Sequence, residues 1–163
     1  MKNRIIVFPG SFDPITTGHV DLVNRIIPLF DKIYIAIGVN TQKSSLFDLE
    51  TRKNWLMREF ANQPKVEVDH FEGLTVNFCK KVNARYLLRG LRNASDFDYE
   101  KTISQLNSII GDELETLFLI SRPEFSHISS TIVREIIKGG GDVKKFVPAL
   151  IGQEILDKYE ELS

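Results

Sequence analysis

Apolar, β-branched segments alternate along the chain with segments whose apolar residues recur at helical spacing. Loop-forming residues follow each of the β-branched segments, which lie at residues 5–8, 33–39, 66–68, 86–88 and 117–120. In the first helical segment, the apolar residues that share one face are Val20, Val23, Ile26, Ile27 and Phe30. The pattern predicts a series of strand and helix units.

The second β-branched segment, with its flanking lysine at residues 32–39, is too continuously apolar for a half-exposed strand. A strand covered on both faces is typical of a parallel sheet that lies between two layers of helices. We therefore predict an α/β fold, a single-domain, Rossmann-like, doubly wound parallel sheet of five strands with helices on both faces.

Capping and turn residues predict where several helices begin and end. Asp48 is placed to cap a helix over residues 49–60, and Gly111 is placed to end the helix that residues 96–100 open. Pro148 can open a last amphipathic helix.

The segment FPGSFDPITTGH, residues 8–19, joins the first strand to the first helix and concentrates glycines, prolines, hydroxyls and a histidine. Unpaired backbone N–H groups at a helix start carry partial positive charge, so such a loop can hold a phosphate with His19 directed at it. On its own, the loop leaves open a structural turn in which His19 is only an early helix residue.

Length and charge limit the classes of partner. The chain has 163 residues, which fits one domain over residues 1–163, and its net charge is −1. A nearly neutral protein lacks the basic excess that broad binding to nucleic acid or to an anionic membrane needs. Any anion site must therefore be local, and we expect neither nucleic acid nor membrane as a partner.

Cysteine usage favours a reducing compartment. Cys79 is the one cysteine, so it can form neither an internal disulfide nor a thiolate cluster for zinc. We expect Cys79 to be a small buried hydrophobe in a cytoplasmic protein. The apolar run near the first residue is too short for a signal peptide, and no run in the sequence reaches membrane-spanning length.

Polar residues in four of the loops should meet at one rim of the sheet. In an open parallel sheet, ligands bind at the carboxyl ends of the strands, where the strand order reverses. The loops after the first, second, fourth and fifth strands bring to this rim Ser11, His19, Lys43, Arg89, Arg92, Ser129 and Ser130. Hydroxyls, backbone N–H groups and arginines suit phosphate oxygens, so we predict a site for an anionic substrate.

Several of these residues also have a plainer interpretation. Ser129 and Ser130 can cap a helix, and Lys43 can be a solvated loop charge. Glu100 can favour a helix dipole, and Arg134 can pair with a neighbouring carboxylate.

Arg89 directly continues a buried strand, so its charge needs a ligand or a salt-bridge partner. His70 and His127 have no spacing suited to metal ligation, and their pattern indicates structural or peripheral positions.

Three segments resemble a known family. Residues 10–19 resemble the "HIGH"-type signature of the nucleotidyltransferase superfamily, with Thr16 in place of its first histidine, and residues 128–134, ISSTIVR, resemble its second motif. These two motifs alone indicate adenylyl or cytidylyl transfer. The segment RGLR at residues 89–92, followed by DFDYE at residues 96–100, resembles bacterial phosphopantetheine adenylyltransferases, and the similarity covers essentially the whole chain.

The resemblance implies that ATP and 4′-phosphopantetheine react to give dephospho-coenzyme A and pyrophosphate, the penultimate step of coenzyme A synthesis. It also implies a cytoplasmic homohexamer that needs Mg²⁺, with coenzyme A as a candidate feedback inhibitor.

The resemblance also assigns roles by matching position. It assigns phosphopantetheine contacts to Ser11, Lys43, Leu74, Thr75, Asn77 and Arg89. It assigns ATP contacts to Ser11, Phe12, His19, Gly90, Leu91, Arg92, Glu100, Phe125, Ser126, His127, Ile128, Ser129, Ser130 and Thr131. The catalytic residues are expected to be His19, Lys43 and Arg92.

The chemistry so implied needs alignment and neutralisation of charge, because the incoming phosphate is already an anionic nucleophile. His19 is the expected transition-state donor, and Lys43 and Arg89 are expected to hold the nucleophilic phosphate. Arg92 and the amides of the serine pair at residues 129–130 are expected to hold the β- and γ-phosphates. No Asp/Glu cluster has metal-ligand spacing, so we expect Mg²⁺ to bind mainly to the phosphates rather than to protein ligands.

Two other functions stay open at this point. One is another small-molecule nucleotidyltransferase, with nicotinate mononucleotide as acceptor or with a cytidylyl donor, which the segment at residues 89–100 argues against. The other is a regulatory module that binds ATP or coenzyme A without turnover, which the presence of His19 and Lys43 disfavours.

Overall fold

The computed structural model describes residues 3–40 and 44–162 of the chain. Its strands are β1 (Ile5–Gly10), β2 (Lys32–Val39), β3 (Val66–Glu72), β4 (Tyr86–Leu91) and β5 (Glu115–Ile120). Its α-helices are α1 (Thr17–Ile26), α2 (Leu49–Glu59), α3 (Thr75–Lys81), α4 (Ala94–Ile110), α5 (Ser130–Lys138) and α6 (Gly152–Leu162). A short 3₁₀ helix, Pro123–Phe125, lies between β5 and α5.

The strands form one parallel sheet in the order β3-β2-β1-β4-β5. The register places Ile6 of β1 beside Ile33 of β2, and Val7 beside Leu87 of β4. Because the chain moves outward from β1 first in one direction and then in the other, the order reverses between β1 and β4, where a crevice forms at the carboxyl ends. The predicted Rossmann-like sheet of five parallel strands is confirmed.

Helices cover both faces of the sheet. Ile6 and Phe8 of β1 enter the larger core, which α1, α2, α5 and α6 close and which contains the fully buried Trp55. Val7 enters a smaller core on the opposite face, against α3. Helix α4 lies over β4 and β5, and Glu100 is its one buried residue.

Two strands are longer than predicted. β3 continues to Glu72, whereas the sequence pattern placed its end near Asp69, because its pairing with β2 persists from Val66 to the last residue. β4 continues through Arg89 to Leu91, which we had placed in a loop, because β5 pairs with it over its full length. The RGLR segment is therefore largely part of the sheet.

Helix boundaries also differ from the prediction. α1 ends at Ile26, because Pro28 has no N–H group to continue the helix and disfavours helical geometry in the residue before it. α6 begins at Gly152 rather than at Pro148, whose carbonyl instead accepts a hydrogen bond from the Ile151 N–H and closes a turn. Leu74, to which the resemblance assigns a phosphopantetheine contact, immediately precedes α3 and is 55% exposed.

Three predicted boundary residues are confirmed. Asp48 caps α2 by accepting a hydrogen bond from the Thr51 N–H at 2.8 Å, and Ser129 caps α5 in the same way. Gly111 follows the last residue of α4. None of the helices in the two described ranges combines the length and the apolar character that crossing a bilayer requires.

Cys79 lies in the smaller core, as predicted. Burial raises the pKa of its thiol to about 12, because the thiolate would lose its hydration there.

A thiol-specific disulfide reagent should therefore leave Cys79 of the native protein unmodified at pH 8 over minutes. With the chain unfolded in concentrated urea, the same reagent should release one equivalent of chromophore. Rapid labelling of the native protein at pH 8 contradicts the buried position.

Candidate active site

A cavity of about 240 Å³ lies where β1 and β4 diverge, and the starts of α1 and α5 close it. The structure brings to it nine of the residues predicted for the site: His19, Arg89, Gly90, Arg92, Glu100, Phe125, Ile128, Ser129 and Ser130. Elements that are far apart in the sequence therefore meet at this rim, as the sheet topology predicted.

His19 is fixed by the cap of its own helix. The backbone N–H of Thr16, the N-cap residue of α1, donates to His19 Nδ1 at 3.0 Å, and the backbone N–H of His19 donates to Thr16 Oγ1 at 3.4 Å. Because Nδ1 accepts, the neutral ring carries its proton on Nε2. Thr16 is buried and acts as a cap, so the position that a histidine occupies in the related signature has a positioning role here.

Burial and two nearby arginines keep His19 uncharged. Loss of hydration is the largest cause, and together with the positive charges of Arg92 and Arg89 it lowers the pKa of the His19 ring from 6.5 to about 4. The ring is therefore a neutral Nε2–H donor at pH 7. Such a donor can bind a phosphate oxygen without a proton having to be taken up first.

Phe12 shapes the loop from its interior. Its backbone is in the left-handed region, with φ of 47°. Its ring is buried, and the ring centre lies 5.0 Å from that of His19 and 5.3 Å from that of Phe8. A side chain on Gly10 would meet the Phe12 ring at 3.1 Å, so this position is tight for anything larger than glycine. Phe12 therefore packs the inside of the loop.

Asp13 ties this loop to the segment before α2. Its buried carboxylate accepts hydrogen bonds from the backbone N–H groups of Leu46, at 2.8 Å, and Phe47, at 2.9 Å. Arg134 of α5 donates to the Asp13 carbonyl at 2.7 Å, and Arg52 of α2 donates to that of Ser11 at the same distance. The loop is thus held from two sides before any ligand binds.

Arg89 forms a two-point ion pair with Glu100. Its Nε donates to Glu100 Oε2 at 2.8 Å, its Nη2 donates to Oε1, and its Nη1 donates to the Pro9 carbonyl at 3.1 Å. These bonds use three of the five guanidinium N–H groups, which leaves two to face a ligand. Arg89 therefore has the partner that the end of a buried strand demands, and Glu100 orients its guanidinium.

Arg92 is held in a similar way by Asp96. Its Nε and Nη2 donate to the Asp96 carboxylate at 3.0 and 3.3 Å, and its backbone N–H also donates to Oδ2. Burial alone raises the pKa of the Asp96 carboxyl, but the hydrogen bonds from Arg92 outweigh it and lower that pKa. The pair stays charged at neutral pH and keeps the guanidinium at the cavity.

The start of α5 presents backbone rather than hydroxyl groups to the cavity. Ser129 Oγ accepts from the Ile132 N–H at 3.2 Å, and Ser130 Oγ donates to the Pro14 carbonyl at 2.8 Å. Ser129 therefore caps the helix, as the plainer interpretation expects, whereas the Ser130 hydroxyl does not cap it and instead ties α5 to the loop before α1. The cap takes the Ile132 N–H, and the N–H groups of Ser130 and Thr131, which precede it in the first turn, have no partner within the helix and can donate to an anion.

A second cavity, of about 180 Å³, lies on the other side of the Arg89–Glu100 pair. It shares these two residues and Pro9 with the first cavity, and Thr75 at the start of α3 also lines it. Apart from Glu100, the residues that α4 contributes were not predicted from the sequence: Tyr99, Ile103, Ser104 and Asn107. Tyr99, Ile103 and Asn107 recur every four residues and so share one helical face, which is a signal too common to identify a site.

Other predicted residues do not line either cavity. Ser126 Oγ bonds to the Pro123 carbonyl at 3.0 Å, Thr131 Oγ1 accepts from Arg134 at 3.1 Å, and His127 is exposed. The remaining residues of this kind are Ser11, Phe12, Leu91 and Leu74, together with Asn77, which lines a separate depression near Phe71. Lys43 lies outside the described residues.

Carboxylates near the cavity are already engaged. Asp96 and Glu100 each bind an arginine, and within residues 3–40 and 44–162 no group of three or more His, Cys, Asp or Glu side chains is arranged to hold a metal ion.

Comparison with known proteins identifies the family. The Cytidylyltransferase-like family model matches residues 7–136. The phosphopantetheine adenylyltransferase of Flavobacterium psychrophilum is 49% identical over 148 residues, covering 91% of this chain and 97% of that protein. The chain belongs to the phosphopantetheine adenylyltransferases. The family member from Caldanaerobacter subterraneus is 39% identical over 158 residues, covering 97% of this chain and 99% of that protein.

A solved structure outside this family shares the fold. The nicotinic acid mononucleotide adenylyltransferase of Plasmodium falciparum superposes with a TM-score of 0.71 at 19% identity, covering 98% of each chain. At this identity the match shows a shared fold and carries nothing about the substrate. The resemblance to phosphopantetheine adenylyltransferases that the RGLR and DFDYE segments indicated is confirmed by the relatives.

The state of His19 can be measured directly. In the free protein, ring ¹⁵N and ¹³C signals should show an unprotonated Nδ1 and a protonated Nε2 from pH 5 to pH 8, with a midpoint of about 4. Because the unfolded chain takes up this proton near pH 6.5, the stability that the neutral ring contributes should be lost as the pH falls from 6.5 to 4. His19→Asn assigns the signals, and a midpoint near 6.5 contradicts this description of the site.

Proposed function

We propose that the protein transfers the adenylyl group of ATP to 4′-phosphopantetheine, which gives dephospho-coenzyme A and pyrophosphate in the penultimate step of coenzyme A synthesis. The observation that carries this proposal is the near full-length identity of 39–49% to phosphopantetheine adenylyltransferases. Two phosphate-suited cavities that share one arginine give the proposal a physical basis.

ATP occupies the first cavity in this proposal. Its β- and γ-phosphates meet the N–H groups at the start of α5 and the guanidinium of Arg92, which Asp96 already orients. The α-phosphate lies beside His19 Nε2. This placement follows from charge. The cavity offers N–H donors from His19, from Arg92 and from the start of α5, and both of its carboxylates form salt bridges with arginines.

Phosphopantetheine occupies the second cavity, with its phosphate at the wall that the two cavities share. Arg89 lies in that wall and keeps two N–H groups beyond those that bind Glu100 and Pro9. The arm then extends between α4 and the sheet, past Thr75 and Asn107. Lys43, expected at the same phosphate, lies outside the described residues and stays a prediction.

The reaction in this arrangement is a direct displacement. An oxygen of the acceptor phosphate forms a bond to the α-phosphorus of ATP, and the bond from that phosphorus to the bridging oxygen breaks, so that pyrophosphate leaves with the electron pair. The nucleophile is already anionic, so no side chain has to remove a proton. His19 donates its Nε2–H to an α-phosphate oxygen as negative charge develops there, and Arg92 stabilises the departing pyrophosphate.

Mg²⁺ is the proposed cofactor, held mainly by the phosphates of ATP because the nearby carboxylates already bind arginines. It supplies additional neutralisation of phosphate charge when bound. The orientation of both phosphates remains the task of the arginines and of the α5 amides.

The assembly, location and regulation are further proposals. A homo-oligomer, by resemblance a hexamer, agrees with the exposed apolar side chains on the outer surface of α4, which include Leu106, Ile109 and Ile110. A cytoplasmic setting agrees with the single free thiol, and coenzyme A as inhibitor agrees with its chemical likeness to the product.

One assay tests the reaction. Purified protein with ATP, 4′-phosphopantetheine and Mg²⁺ should yield dephospho-coenzyme A by mass spectrometry and one equivalent of pyrophosphate. Parallel reactions replace the acceptor with nicotinate mononucleotide, or ATP with CTP. Product from either replacement at a higher kcat/KM, or tight nucleotide binding without any product, overturns the proposed function.

His19 is the residue whose variant best separates chemistry from structure. Asparagine at position 19 can still accept the Thr16 N–H at the place of Nδ1 but has no group at the place of Nε2. His19→Asn should therefore lower kcat by roughly 10²- to 10³-fold, with changes of less than about threefold in either KM and with an unchanged urea unfolding midpoint. A KM effect larger than the kcat effect contradicts a transition-state role.

A further inference from the structure

Thr116 carries a hydroxyl that no protein group satisfies. It lies in β5, where its Cα is paired with that of Leu87 in β4, and it lines the second cavity. Its Oγ1 is buried and has no hydrogen-bond partner among the residues that the structure describes. A buried hydroxyl without a partner destabilises the free protein, and a valine of the same shape would remove that penalty. Position 116 therefore carries threonine although, in the free protein, valine would pack equally well without an unsatisfied hydroxyl.

The second cavity suits a chain with an anion at one end and neutral polar groups along its length. The Arg89–Glu100 pair lies at one end, and Pro9, Leu87 and Ile103 supply apolar walls. Thr116 also lines the cavity, although its hydroxyl is buried in the free protein. An arm that contains a hydroxyl and two amides has this alternation of apolar and hydrogen-bonding groups.

We propose that Thr116 determines specificity for the arm of the acceptor by hydrogen bonding to one of its neutral polar groups. This inference rests on the proposed function, since it takes 4′-phosphopantetheine as the molecule in the second cavity. Rotation about the Cα–Cβ bond between staggered positions exchanges the hydroxyl and the methyl group of a threonine. In the free protein Oγ1 is turned away from solvent, and the arm supplies the partner that makes the other position favourable.

The proposed hydrogen bond should make the protein bind the correct acceptor arm more tightly than other acceptors, without changing the rate of the chemical step. Binding of the correct arm both forms a hydrogen bond and removes an unsatisfied hydroxyl, whereas an acceptor without a polar group at this point gains neither. Because Thr116 lines the acceptor cavity and is absent from the lining of the first one, ATP binding should not depend on it.

Thr116→Val and Thr116→Ser test the inference. The valine variant should bind 4′-phosphopantetheine roughly tenfold more weakly in calorimetry, which corresponds to about 1.4 kcal/mol. It should raise the KM for this substrate by the same factor, and leave kcat and the KM for ATP within twofold. Its unfolding midpoint in urea without substrate should equal or exceed that of the unmodified protein. The serine variant should restore acceptor binding to within about twofold.

The control is Ser108→Ala, which removes an α4 hydroxyl that bonds to the Gln105 carbonyl outside both cavities and should change none of these values. The inference is overturned if Thr116→Val binds the acceptor as tightly as the unmodified protein, or if serine fails to restore binding. Calorimetry keeps the two proposals distinguishable: binding of 4′-phosphopantetheine without turnover overturns the proposed function alone, and no binding by the unmodified protein overturns both.

Discussion

The geometry of the site depends on the hydrogen bonds that the buried carboxylate of Asp13 accepts. Asp13 lies in the loop between β1 and α1, and its carboxylate accepts from the backbone N–H groups of Leu46 and Phe47, in the segment that leads into α2. A buried carboxylate is tolerated only where such donors meet it, so the loop can close in one way. The same loop continues into Thr16, which caps α1 and bonds to the His19 ring.

Charge in the site is arranged in pairs before any substrate is present. Glu100 neutralises the charge of Arg89, and Asp96 neutralises that of Arg92. The His19 ring is uncharged at neutral pH. Because each guanidinium has its own carboxylate partner, the site can orient both arginines without leaving either charge unpaired. Incoming phosphates then compete for N–H groups whose directions are already set, which reduces the reorganisation that accompanies catalysis.

Hydrophobic periodicity predicted a doubly wound parallel sheet of five strands and the rim of the sheet where the site lies. Both follow from the local sequence pattern and from the general topology of parallel sheets. It could not predict that Arg89 lies within a strand, since that depends on pairing with Phe118 of β5. Of the predicted residues that line the first cavity, the basic and hydroxyl-bearing ones were found through their chemistry, whereas Gly90, Phe125 and Ile128 were assigned only by the resemblance. Apart from Glu100, the α4 residues of the second cavity were missed, because Ile103 and Asn107 are ordinary helix residues whose role arises only from how the helix packs.

The environment of Cys79 has a consequence for a protein that handles thiols. Both the proposed acceptor and its product end in a free sulfhydryl, and such molecules form mixed disulfides with accessible protein thiolates. The chain has one cysteine, and the smaller core keeps it protonated and out of reach. The enzyme can therefore bind and release a thiol-bearing substrate repeatedly, even under oxidising stress, without becoming covalently attached to it.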